Sequence, residues 1–198
     1  MVKQTWSVGD LHLEYSNPMI TGFYGEEGER EVKSEDDVMY FYYDITIFNH
    51  ETPMFIGRAR DCPLVFELPR AIDKILDHDT SKSYVMVDEE DAEYEYKRKE
   101  LYTHIDMCDP ATNDYFYRIE RYDHYVKNHD GIHEWKEFVL TIGNMHGNRR
   151  SPVHPLPQFG QVVMLKELRA KDLLALKKTA EAFGKQAIME HEPERKDE

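Results

Sequence analysis

Residues 99–143, KELYTHIDMCDPATNDYFYRIERYDHYVKNHDGIHEWKEFVLTIG, decide the fold. Runs rich in Tyr, Phe, Ile and Val are separated by two clusters of turn residues, Asp109-Pro110-Ala111-Thr112-Asn113 and Asp130-Gly131. The second is a strong hairpin signal, because tight hairpin turns need the positive φ that glycine adopts without strain. The pattern predicts three antiparallel strands. Side chains alternate along a strand, so the turns also predict which residues share a face.

Centring the second turn on Asp130-Gly131 predicts Val126 opposite Trp135, His124 opposite Glu137 and Tyr122 opposite Val139. Centring the first between Cys108 and Asp114 predicts Met107 opposite Tyr115, His104 opposite Arg118 and Tyr102 opposite Glu120. One face then carries Leu101, Thr103, Ile105, Met107, Tyr115, Tyr117, Ile119, Phe138, Leu140 and Ile142 and is coherently apolar. The other carries Tyr102, His104, Asp106, Phe116, Arg118, Glu120, Tyr122, His124, Val126, Trp135, Glu137, Val139 and Thr141. It mixes aromatic with ionisable groups, and any function is expected there or on the Pro-rich loop that follows.

Before this meander the signals are also mostly extended. Gln4–Tyr15 predicts one bent strand or a short hairpin around Gly9-Asp10, ended by Asn17-Pro18. Val38–Phe48 is apolar on both sides, which predicts a central strand covered on both faces. Met54–Ala59, Leu64–Leu68 and Tyr84–Val87 read as short strands. Pro69–His78 reads as a short helix with Leu68, Ile72, Ile75 and Leu76 as its stripe.

Beyond the meander, residues 143–157 read as a long loop and Gln161–Leu165 as a strand. Leu173, Leu176, Ala180, Phe183 and Ala187 recur at helical spacing and predict a long helix over about 170–189 that covers the apolar face of the meander. The fold class is α+β: a largely antiparallel sheet system (meander 99–143 plus N-terminal strands), a long C-terminal helix and a short internal helix at about 69–78. The expected organisation is one domain over 1–189, or two β-rich halves, 1–83 and 84–189, with an acidic disordered tail at 190–198. Four strands and a helix, used twice, resemble the element order of the Whirly and transcriptional-coactivator-type single-strand-binding proteins. That likeness implies a single-strand binder.

The net charge of −14 is local. Residues 26–37 carry a net −5, 88–95 a net −6 and 190–198 a net −3, so the remainder is neutral. Whole-molecule charge opposes non-specific binding to duplex DNA, but it does not exclude an anionic partner at the meander. Cys62 and Cys108 are the only cysteines, which makes no disulfide framework and points to a reducing, cytoplasmic setting. The first residues lack the apolar core of a signal peptide, and no run approaches a membrane span.

Three chemistries suit the polar-aromatic face. His104, His124, Glu120 and Glu137 offer a histidine beside a carboxylate, the usual kit for acid–base work, although such pairs also simply stabilise sheets. His124, His129 and His133 suggest a metal, yet on a hairpin His129 and His133 point to opposite faces, and no defined metal signature is present. Tyr102, Phe116, Arg118, Tyr122 and Trp135, with Lys97-Arg98-Lys99 at the margin, suit single-strand stacking, but Asp106, Glu120 and Glu137 would repel phosphate. Phosphate-loop, dinucleotide and nucleophile-elbow motifs are missing. The expectation is a non-enzymatic binding or protein-interaction protein without cofactor, pairing with a protein or with itself as an oligomer. A single-strand nucleic-acid binder is the first alternative and a metal-assisted hydrolase the second.

Overall fold

A computed structural model describes residues 2–26, 28–59, 64–77, 84–91, 96–109, 114–128, 130–144 and 161–191. The chain divides into two compact units. One takes in Met1–Arg70 and the C-terminal helix from Asp172; the other takes in most of Ala71–Lys171.

The first unit is built on strands β1 (Lys3–Val8), β2 (Leu11–Gly22), β5 (Val38–Asn49) and β6 (Thr52–Ala59), which form one antiparallel sheet in the order β1-β2-β5-β6. Gly9, at φ 58°, makes the tight turn between β1 and β2. The strand β2 does not stop at Asn17-Pro18. Asn17 takes φ 49° and the pairing with β5 shifts between Ser16 and Met19, so a bulge carries the proline, which has no N–H, past the ladder. Asn17 Nδ2 donates to Asp44 Oδ2 at 2.8 Å across that bulge. A small hairpin, β3 (Tyr24–Gly25) and β4 (Gly28–Glu29), follows.

The strand β5 is central, as its sequence predicts, but only one of its faces is fully buried. Phe41, Tyr43, Ile45 and Ile47 are at most 2% exposed, whereas Tyr42, Asp44, Thr46 and Phe48 are half-buried. The cover on the buried face is α2 (Ala170–Glu190). Its stripe Leu173, Leu176, Ala180, Phe183 and Ala187 is buried. Phe183 stacks on Tyr15 at 5.5 Å and meets Phe41 and Tyr43 edge-on at 6.0 and 5.8 Å. Trp6 Nε1 donates to the Asp172 carbonyl at 2.9 Å. The long helix, expected over the meander, therefore has its buried stripe on the N-terminal sheet. Periodicity shows that a helix has an apolar stripe; it does not say which sheet the stripe meets.

Between the halves of the chain lies α1 (Leu64–Leu76), and the boundary of the two units falls within it. It begins where a strand was expected and holds Pro69 in its interior. The second unit is a five-stranded antiparallel sheet in the order β11-β10-β9-β8-β7, from β7 (Tyr84–Asp91), β8 (Tyr96–Asp109), β9 (Asp114–Asn128), β10 (Gly131–Asn144) and β11 (Gln161–Leu168). Ile119, Phe138, Leu140, Ile142 and Leu168 are buried on its apolar face. The end of α1 reaches this face: Ile72 and Ile75 are buried, and Arg121 donates to the carbonyl oxygens of Ile75 and Asp77. The expected loop over 145–157 and most of the tail lie outside the described residues.

Candidate functional site

The turn residues set the geometry of the polar-aromatic face. β9 and β10 close at the pair Asn128↔Gly131, with Gly131 at φ 129°. The ladder then places His124 opposite Trp135, Tyr122 opposite Glu137 and Glu120 opposite Val139. This register lies two residues from the one predicted. A shift of two preserves the faces, because strand side chains repeat every second residue. For β9 and β10 the face membership read from the sequence therefore stands, and only the partners change.

The face has two unlike regions. Toward the middle of the sheet, Arg118, Glu120 and Thr141 are 2%, 6% and 2% exposed. Thr141 Oγ1 donates to Glu120 Oε2 at 2.7 Å, and the Tyr122 hydroxyl donates to Glu120 Oε1 at 3.4 Å. This is a buried polar cluster, so Arg118 is not a surface cation. Burial, and then the charge of Glu120 and its hydrogen bond, push the Tyr122 phenol up to about 12.

Toward the hairpin end the same face opens. The imidazole of His124 lies parallel to the Trp135 indole, with centroids 4.6 Å apart and planes 12° apart. Tyr122 stacks beside His124 at 6.3 Å. His124 Nε2 is 3.2 Å from Glu137 Oε2, and the two side chains are 10% and 43% exposed. Trp135 itself is 48% exposed. One face of the indole is thus fixed against His124 while much of the ring meets solvent. The His124–Glu137 contact was legible in the sequence. The His124–Trp135 stack was not, because the predicted register set Val126 opposite the tryptophan.

The remaining candidates resolve differently. Tyr102, His104 and Phe116 lie on β8 and β9 by backbone, and their side chains fall outside the described residues, as does His129. Among the described residues, no three His, Cys, Asp or Glu side chains converge as a metal set. The basic run Lys97-Arg98-Lys99 is opposite an acidic one: the ladder pairs Lys97 with Glu90, Arg98 with Glu89 and Lys99 with Asp88.

The first unit carries a separate carboxylate site. The Glu29 side chain is 1% exposed, accepts from the Gly22 N–H and lies 3.2 Å from His191 Nε2. Its partners tie the β3–β4 hairpin to β2 and to the residue after α2.

No protein-family model, curated protein or solved structure matches the chain. No described helix is long and apolar enough to cross a membrane.

Proposed function

We propose that this is a non-enzymatic, cytoplasmic protein-interaction protein that binds through the open end of the second sheet. The observation that carries the reading is Trp135, half exposed yet held parallel to His124 at 4.6 Å. A large aromatic side chain with a fixed orientation and an open surface is the usual anchor of a recognition surface, since little side-chain freedom is lost on binding. Its polar neighbour Glu137 supplies direction.

A photo-crosslinking residue placed at position 135 tests this. The expected result is one identified protein that also binds the purified wild-type chain and loses binding to Trp135→Ala. Failure of every crosslinked protein to bind the purified chain overturns it.

A second reading is favoured by the element order, in which a strand meander followed by a helix occurs twice. That order supports a single-strand nucleic-acid binder. Oligonucleotide titration at low salt, followed by tryptophan emission, separates the two. Quenching that weakens with salt supports the nucleic-acid reading.

A further inference from the structure

We propose that the open end of the second sheet receives an arginine side chain of a protein partner, stacked on Trp135 and paired with Glu137. This rests on the protein-interaction reading and names what the surface takes.

The argument is one of charge and shape. Trp135 and Glu137 are two residues apart on β10 and so share a face. The indole is 48% exposed and the Glu137 side chain 43% exposed. Tryptophan is the best aromatic partner for a cation, and its ring is already oriented by His124. The lysines of this hairpin end lie on the other face: Lys127 pairs with Ile132 and Lys136 with Asp123, in line with Ile119 and Phe138. Arg118 shares the face but is buried at 2% exposure. Among the described residues, the exposed end of the β9–β10 hairpin therefore joins an aromatic ring to a carboxylate, with His124 and His133 as the basic groups that β9 and β10 place on it.

Other occupants fit less well. Phosphate would meet the Glu137 carboxylate. A neutral ring would stack but bring no donor to that carboxylate, whose one described partner is His124. Guanidinium is planar and weakly hydrated, and it can lie on an indole while donating to a carboxylate. Lysine supplies the charge without the plane. The high Tyr122 value has the same origin in part, since the charges of both Glu120 and Glu137 raise it.

The test uses the full chain and Gly/Ser peptides that differ only in carrying arginine, lysine, citrulline or glutamate at the same positions. Trp6 is 2% exposed, so emission changes report Trp135. The expected order is arginine over lysine over citrulline, with arginine at least about tenfold tighter than citrulline. Glu137→Gln should weaken the arginine peptide about tenfold and leave the citrulline peptide unchanged. Circular dichroism shows whether each variant is folded, and Trp135→Phe, which lacks the reporter and is read by calorimetric titration, serves as the gentler stacking variant. Citrulline or glutamate peptides that bind as well as arginine overturn the proposal, as does a peptide set that leaves Trp135 emission unmoved. A partner crosslinked at position 135 through a segment without arginine overturns the arginine assignment and leaves the interaction surface standing.

Discussion

Arg121 closes the C-terminal end of α1 by donating through Nη1 to the carbonyl oxygen of Ile75. The same nitrogen is 3.2 Å from the Asp77 carbonyl, and the other guanidinium nitrogens pair with both Asp123 oxygens at 2.7 Å. The side chain is 1% exposed. A helix end leaves carbonyls without partners and carries partial negative charge, so a buried guanidinium there satisfies both. Arg121→Met keeps the length and removes the donors. It should lower stability by about 2–4 kcal/mol, read as a shift of the urea midpoint. Adding Asp123→Leu should recover part of that loss, because the orphaned carboxylate goes with it.

The packing of α2 on the first sheet makes a second prediction. Phe183 is fully buried among Tyr15, Phe41 and Tyr43, while Leu174 on the same helix is 44% exposed. Phe183→Ala should cost about 3–5 kcal/mol and Leu174→Ala under about 1 kcal/mol. Near-ultraviolet circular dichroism of the tyrosines should change in the first variant alone. Equal effects would show that α2 does not cover this sheet.

Two glycines should respond for different reasons. A Cβ on Gly22 would lie 2.8 Å from both the Arg30 carbonyl oxygen and a Val32 methyl. The backbone oxygen cannot swing aside, so Gly22→Ala should destabilise by about 1–3 kcal/mol. Gly131 has nothing within 4 Å of such an atom, and only its φ of 129° opposes substitution. Gly131→Ala should therefore cost about 1–2 kcal/mol, through strain at the turn, without disturbing the core. Thermal melts of the two variants, with tyrosine and tryptophan spectra, check this.

Tyr122 should ionise late. Its phenol is pushed up to about 12 from an ordinary 10.0. Ultraviolet titration of the tyrosines should show one late step, and Glu120→Gln should bring it down. The folded state holds its proton more tightly than the unfolded state, so the unfolded chain binds fewer protons between these two values. The stabilisation is present in full below pH 10, declines as pH rises through the folded value near 12, and is then lost. A phenol that titrates at 10 would contradict the buried cluster with Glu120.

The two tryptophans should separate cleanly under acrylamide. Trp135 is 48% and Trp6 2% exposed. Wild-type emission should contain a quenchable and a protected component, and Trp135→Phe should leave only the protected one. A fully protected wild type would mean that the hairpin end is covered in solution.

Much of the architecture was legible because its signals are local. The meander turns, the alternation along β5 and the stripe of α2 need only neighbouring residues. Errors arose where a local signal had two outcomes. Asn17-Pro18 reads as a stop, but a bulge lets β2 continue. Leu64–Leu68 is a short apolar run, which periodicity alone cannot divide between strand and helix. The β9–β10 part of the candidate face was read correctly in composition, yet the two-residue offset at Asp130-Gly131 hid the stack between His124 and Trp135.

By itself the sequence determined the α+β class, the β9–β10 hairpin and the membership of the faces of β9 and β10, since strand and helix periods are properties of the local chain. The tertiary structure alone decided that α2 covers the first sheet and that the end of α1 meets the second. It alone divided the polar-aromatic face into a buried Arg118–Glu120–Thr141 region and an open Trp135–Glu137 end. Burial depends on what else packs against a face, and nothing in the order of residues along one strand records that.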